Sequence, residues 1–268
     1  MSTLNVTLIQ ADLVWHDADG NRAAFTEVIG SISEPTDLIV LPEMFTTGFS
    51  MHATKLAETM AGPSVEWMRK TAARCNAAIC GSLIIRDNDR FFNRFVCVEP
   101  AGNLTCYDKR HLFRLANEQH HYEPGNSVVT FDLKGFRIRP LVCYDLRFPV
   151  WSRNRGTYDL LLYVANWPKS RHDAWETLLR ARAIENLSYV IGVNRVGTDG
   201  NDLPYAGGSA IIDYRGRDIA DLGDASGSAT AKLDLDLLGQ FRERFAFHRD
   251  ADEFTLTTER GRLPHDSE

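Results

Sequence analysis

Cys143 closes an apolar run in the stretch Arg139-Pro-Leu-Val-Cys-Tyr-Asp-Leu-Arg-Phe-Pro149. The chain turns polar directly after it, and Pro149 stops the strand from continuing. A cysteine at the carboxyl end of a buried strand presents its sulfur on a fixed backbone. The turn also leaves the next N–H, that of Tyr144, free to face a substrate. α/β hydrolases set a serine nucleophile by the same strand-to-turn geometry. The chemistry this allows is thiol attack on an electrophilic carbon; the competing reading is a small buried hydrophobe. A thiol nucleophile needs a base, most often histidine. The eight histidines are scattered and none ends an expected core strand. Glu43 does end one, behind Asp37-Leu-Ile-Val-Leu41 and Pro42. Partly desolvated there, a carboxyl rises in pKa towards neutrality and can act as the base; otherwise it is a solvated strand terminus. Lys109, in Tyr107-Asp-Lys-Arg-His111, is either part of a solvated basic loop or a buried ammonium beside the thiol. In the second case it would favour the thiolate and hold an oxyanion, with the Tyr144 N–H as its partner.

The elements that must position these groups follow from periodicity. Strands are expected at residues 4–10, 37–41, 78–85, 91–98 and 104–107, the last two antiparallel. A hairpin of residues 128–131 and 136–142 turns at Lys134-Gly135, and its second arm delivers Cys143. Further strands are expected at 158–165, 188–193, 209–212, 218–222 and 229–233. Phe25, Val28, Ile29 and Ile32 mark one amphipathic helix. Gly62-Pro63 opens a second, with Val65, Met68, Ala72 and Cys75 inward. A third runs from about 172 to 186 with Trp175, Leu178, Leu179 and Ile184 inward, and residues 235–247 form a terminal one. Residues 37–43 and 159–166 echo each other: an aspartate, an apolar strand, then a polar residue at the strand's carboxyl end. Hairpins mixed with β-α alternation predict an α/β fold of two mixed sheets facing each other with helices outside. Ligands of open α/β sheets bind at the carboxyl ends of strands, so Glu43, Cys143 and Asn166-Trp167 converge on one crevice. No linker divides the chain, which reads as one domain over residues 1–268, with 250–268 a polar C-terminal tail.

Composition narrows the partners. The chain has 268 residues, 44% of them hydrophobic, ample for a sizeable core. Its net charge of −6 argues against a general nucleic-acid binder. No stretch approaches the ~20 apolar residues of a membrane span, and no secretory signal is visible, so a cytoplasmic location is expected. The five cysteines form neither a C-x-x-C nor an even framework, so no disulfide scaffold or zinc site is expected.

Glu, Lys and Cys in this order, with these flanks, resemble the nitrilase superfamily of carbon–nitrogen hydrolases, and within it the bacterial omega-amidases. The resemblance rests on Leu41-Pro-Glu-Met-Phe45, Tyr107-Asp-Lys-Arg-His-Leu-Phe113, Leu141-Val-Cys-Tyr-Asp-Leu-Arg-Phe148, Tyr163-Val-Ala-Asn-Trp-Pro168, Arg182-Ala-Ile-Glu-Asn186, Asn194-Arg-Val-Gly197 and Gly207-Gly-Ser209. It implies a four-layer αββα sandwich. It implies Glu43 as general base, Lys109 as oxyanion stabiliser, Cys143 as nucleophile and Glu118 as a second glutamate assisting the base side. It also implies no cofactor or metal, a small-molecule amide substrate, and a homodimer or larger homo-oligomer, with Trp151 and residues 182–186 at the interface or in the core. The activity implied is release of ammonia from the omega-amide of a 2-oxo-dicarboxylic acid monoamide, such as 2-oxoglutaramate or 2-oxosuccinamate, through a thioester.

The carboxylate of such a substrate needs a fixed cation. Arg147, in the turn beside the nucleophile, is the candidate, unless it pairs structurally with Asp145. Phe45, Tyr144 and Trp167 are expected to line the pocket. On the same triad a nitrile, an N-carbamoyl amine or an aliphatic amide is an alternative substrate. The readings from other classes are a thiol redox protein and a non-catalytic binding protein on a retained fold.

Overall fold

In the computed structural model, which describes residues 2–256, the chain runs through β1 (Thr3–Gln10), α1 (Ala18–Gly30), β2 (Leu38–Val40), α2 (Ala53–Leu56), α3 (Pro63–Cys75), β3 (Ala78–Asp87), β4 (Arg90–Val98) and β5 (Leu104–Asp108). It continues through β6 (Phe131–Leu133), β7 (Phe136–Val142), α4 (Pro149–Ser152), β8 (Leu160–Val164), α5 (His172–Asn186) and β9 (Tyr189–Val193). The last elements are β10 (Val196–Thr198), β11 (Pro204–Ala206), β12 (Ala210–Ile212), β13 (Asp218–Asp221), β14 (Gly227–Asp234) and α6 (Leu235–Arg244).

Two six-stranded mixed sheets result, ordered β14-β1-β2-β3-β4-β5 and β13-β12-β9-β8-β7-β6. Each has a parallel trio at its heart, β1-β2-β3 in one and β7-β8-β9 in the other. Strands buried on both faces read as continuous apolar runs, as in Leu38–Val40 and Leu160–Val164. One core lies between the sheets, where Val6, Leu38 and Phe95 meet Ile138, Leu160 and Ile191. A second lies outside the first sheet, where Phe25 and Ile29 of α1 and Val65, Met68 and Ala72 of α3 pack on Ile39 and Ile79. Trp175, Leu179 and Ala183 of α5 cover the second sheet. This is the expected αββα layering.

The echo between residues 37–43 and 159–166 is structural. Asp37 and Asp159 precede the central strands β2 and β8. The Asp37 carboxylate accepts from Asn5 N–H at 2.9 Å, and that of Asp159 from Arg137 N–H at 3.1 Å. Each aspartate N–H donates back to the same neighbour at 2.8 Å, and each aspartate carbonyl accepts from the start of the third strand, from Ala78 or Tyr189. The two halves therefore end their central strands at matched places, next to Glu43 and Asn166.

Some boundaries differ from expectation. The first hairpin arm is residues 131–133, because only these lie in register opposite β7. Ile184 is exposed, because Arg182, Ala183 and Asn186 occupy the inner face of α5. The terminal helix stops at Arg244, followed by a 3-10 turn at Phe247–Asp250. Residues 251–256 have no regular structure, and the rest of the expected tail lies outside the described residues. Trp151 is buried and donates from its indole to Tyr107 Oη at 3.0 Å, while the Arg182 guanidinium donates to Leu146 O at 2.6 Å. Both are engaged inside the chain. Among the described residues no helix is long and apolar enough to cross a membrane.

Candidate active site

Three strand ends bring the candidate residues together. Leaving β2, the chain reaches Glu43 and turns through Met44, whose φ of 42° lies in the left-handed region. Met44 N–H is held by Ser82 Oγ at 2.9 Å, and the carbonyl of Met44 accepts from Thr47 and Gly48. Leaving β7, the chain enters a 3-10 turn, Cys143–Arg147, with Cys143 at φ 44°. A side chain in this region costs about 1–2 kcal/mol, so the surroundings must fix it. They do so through Asp145. Its carboxylate accepts from Val142 N–H (3.0 Å), Tyr107 Oη (2.7 Å), His111 N–H (3.0 Å) and His111 Nδ1 (2.7 Å). One buried carboxylate thus ties the turn of Cys143 to the segment that carries Lys109. In a 3-10 turn the first N–H groups have no partner within the helix, which includes that of Tyr144.

Glu43, Lys109 and Glu118 are all buried. Lys109 Nζ donates to Glu43 Oε1 at 3.0 Å and to both Glu118 oxygens at 3.0 Å. Glu43 Oε1 also accepts from Asn93 Nδ2 at 2.7 Å, and Oε2 from Asn166 N–H at 2.8 Å. The Asn166 side-chain amide donates to the Glu43 carbonyl. Glu118 accepts from Phe113 N–H as well, at 2.5 Å. Every contact of both carboxylates is one in which the oxygen accepts, as ionised carboxylates require. Glu118 therefore grips the lysine rather than touching the Glu43 carboxylate. Cys143 Sγ donates to Asn166 O at 3.9 Å, and the Glu43 carboxylate is near enough to act on the thiol electrostatically.

The electrostatics follow from two carboxylates facing one ammonium away from water. Burial alone would lower the Lys109 pKa, but the charges of Glu118 and Glu43 outweigh it, and the ammonium is held protonated. Burial pushes the Glu118 carboxyl up, Lys109 pulls it down and Glu43 pushes it up again, with a net rise. Burial, and then the charge of Glu43, raise the Cys143 thiol well above the usual thiol range; Lys109 opposes them without prevailing. The lysine does favour the thiolate, but burial and Glu43 together outweigh it. A thiolate would add a second net negative charge to a buried cluster that already carries one. Burial and the Glu43 charge therefore favour the protonated sulfur.

Cys143 and Lys109 line a cavity of about 490 Å3, with Glu43 and Glu118 behind its wall. Tyr144, Arg147 and Trp167 line it, as expected. Phe45 does not. It is fully buried in the outer core, 5.6 Å from the Phe25 ring and 5.7 Å from Trp67. Gly81 makes this possible, since a Cβ there would meet the Phe45 ring at 2.8 Å. The aromatic in its place at the cavity is Phe49, whose ring lies 5.0 Å from Lys109 Nζ. The proposed Arg147–Asp145 pair is absent, because Asp145 is fully engaged elsewhere; the Arg147 guanidinium stacks 5.0 Å from the Trp167 ring.

Asn93, Phe113, Arg171, Asp199 and Tyr205 are contributors that sequence reasoning missed. Asn93 carried a weak signal, an amide amid the apolar inward positions of β4. Asp199 accepts from Asn201 and Leu203 N–H and from Tyr205 Oη, which closes the β10–β11 ribbon over the cavity. Among the described residues no group of three or more His, Cys, Asp or Glu is arranged to hold a metal ion. All five cysteines are free, so thiol chemistry at Cys143 has no partner sulfur in a disulfide.

Comparison with known proteins gives a consistent result. The family model for carbon-nitrogen hydrolases matches residues 5–243. The chain is 50% identical over 260 residues to the omega-amidase YafV of Yersinia enterocolitica, covering 96% of this chain and all of that one. It is 34% identical over 243 residues to the 2-oxoglutaramate amidase of Bacillus subtilis, covering 89% and 93%. Its fold superposes with a TM-score of 0.93, at 46% identity and over 96% of this chain and all of the other, on XC1258 from Xanthomonas campestris, a CN-hydrolase superfamily protein with an arsenic adduct in its active site.

Proposed function

The chain belongs to the carbon–nitrogen hydrolase family, and on that premise we propose that it is an omega-amidase. It releases ammonia from the terminal amide of 2-oxo-dicarboxylic acid monoamides, 2-oxoglutaramate and 2-oxosuccinamate. The observation that carries the reading is the closed cluster of Glu43, Lys109 and Cys143 at the wall of a cavity that also presents guanidinium groups. The half-identical relative named an omega-amidase supports it.

The reaction follows from the charge count of the cluster. Cys143 Sγ attacks the amide carbonyl carbon while its proton passes to Glu43. The oxyanion forms against Lys109 Nζ and the Tyr144 N–H. One proton has moved and one negative charge has shifted from carboxylate to oxyanion, so the buried cluster keeps the same net charge throughout. Glu43 then gives its proton to the amide nitrogen, the carbon–nitrogen bond breaks, and ammonia leaves a thioester on Cys143. Water, deprotonated by Glu43, attacks the thioester carbon. The carbon–sulfur bond breaks, and the sulfur recovers a proton as the 2-oxo-dicarboxylate departs. Glu118 holds the lysine in place across both halves. The reading takes the chain as one carbon–nitrogen hydrolase domain, cytoplasmic and dimeric or larger, working without cofactor or metal.

A panel of purified-enzyme ammonia assays tests this. Rapid release from 2-oxoglutaramate and 2-oxosuccinamate, with silence on nitriles and N-carbamoyl amines, is expected. A preference for nitriles or N-carbamoyl amines would overturn the assignment.

A further inference from the structure

We propose that Arg171 is a specificity-determining residue, the second guanidinium of a clamp that binds the 2-oxo acid head of the substrate together with Arg147. This rests on the omega-amidase reading and adds to it a residue and a division of labour.

Arg171 ends the 3-10 turn Lys169–Arg171, directly before α5, and lines the same cavity as Cys143. Its guanidinium lies 5.0 Å from the Phe113 ring, as that of Arg147 lies 5.0 Å from Trp167, and both rings line the cavity. The two supports are linked, since Trp167 Nε1 donates to Arg171 O at 2.7 Å. A guanidinium over an aromatic face is held by the ring and keeps its N–H groups available to donate. Neither arginine has a carboxylate partner among the described residues, whereas Arg22, Arg94, Arg137, Arg180, Arg195 and Arg242 each meet one. Asp199, the carboxylate in the cavity lining, is already engaged by two backbone N–H groups and Tyr205. The cavity wall therefore carries positive charge without a carboxylate partner at Arg147 and Arg171. An aliphatic amide or a nitrile would leave both unused.

A 2-oxo acid head matches them. Its carboxylate and adjacent carbonyl lie side by side and present acceptors along two edges. Arg147 takes one edge of the carboxylate, and Arg171 takes the edge that the second carboxylate oxygen shares with the 2-oxo oxygen. Ground-state binding of a remote head appears in KM rather than in kcat.

The test uses Arg171→Met and Arg171→Lys in the full chain. For Arg171→Met, KM for 2-oxoglutaramate is expected to rise about tenfold or more with kcat held within about threefold, with partial recovery in Arg171→Lys. KM for glutaramate, which lacks the 2-oxo group, is expected to change much less. Alkylation of Cys143 supplies a readout that needs no turnover: the methionine variant should react more slowly with anionic iodoacetate and at an unchanged rate with neutral iodoacetamide. Equal KM changes on both amides, an unchanged KM, or parallel loss of both alkylation rates would overturn the clamp. A wild-type enzyme inactive on 2-oxoglutaramate would instead overturn the omega-amidase reading, and the ratio of the two alkylation rates would still decide whether Arg171 binds an anion.

Discussion

At the scale of the residue, the proposed mechanism activates the cysteine by proton transfer rather than by a standing thiolate. Burial and the Glu43 carboxylate both raise the Cys143 thiol pKa, and Lys109 only moderates them. Replacing Glu43 by glutamine removes one of the two raising causes. The pH profile of iodoacetamide alkylation should therefore move to lower pH, while amide hydrolysis falls by about 10²–10⁴ for want of the base. A profile that stays in place would show that Glu43 does not act on the sulfur. Lys109 separates two buried carboxylates, so Lys109→Met leaves them facing each other. The cost is about 3–5 kcal/mol, with loss of turnover. Its pH dependence has a definite sign. The Glu118 carboxyl, raised by burial and by Glu43 and no longer opposed by the lysine, binds in the folded state a proton that the unfolded chain, near pH 4–5, has already released. The melting temperature of this variant should accordingly rise as pH falls towards that range, and a melting temperature that falls instead would contradict the paired-carboxylate arrangement.

At the scale of the element, the site is assembled by strand ends and registered by Asp145. The turn of Cys143 and the segment of Lys109 share no sheet: β7 belongs to one and β5 to the other. The Asp145 bonds to Val142, Tyr107 and His111 are what connect them. Asp145→Asn keeps the shape but turns part of this acceptor set into a donor. It should lower kcat by about tenfold to a hundredfold through misplacement of thiol against ammonium, with KM little changed. An unaltered kcat would remove Asp145 from the positioning role. Much of this level was legible in the sequence. Continuous apolar runs ending in Glu43, Cys143 and Asn166 located the three strand ends, and the repeated aspartate-strand pattern did mark matched halves. What was not legible depends on contacts between segments remote in the chain. Phe45 follows the base by two residues, yet Gly81 on β3 opens a slot that takes its ring away from the cavity. Asp145 adjoins Arg147, yet its acceptor capacity is used by Tyr107 and His111. The thiol's protonation likewise depends on how many charges the fold brings together, which no local pattern reveals.

At the scale of the whole molecule, the sandwich places Glu43 and Lys109 from one sheet against Cys143 of the other, and residues of the β10–β11 ribbon and the loop of Phe49 line the cavity. Family and reaction class were legible because the motifs around Glu43, Lys109 and Cys143 are long and ordered along the chain. Arg171 was not, because an arginine before a helix has no signature until its missing carboxylate partner and its place in the cavity are known. The central claim is that an omega-amide is opened by Cys143 through a thioester. Its most direct test is rapid acid quenching of wild-type enzyme turning over 2-oxoglutaramate, followed by intact-mass and peptide mass spectrometry. The prediction is an adduct equal to the substrate less ammonia, located on Cys143 and lost on further incubation at neutral pH. Steady ammonia release with no such adduct, or an adduct on another residue, would contradict it.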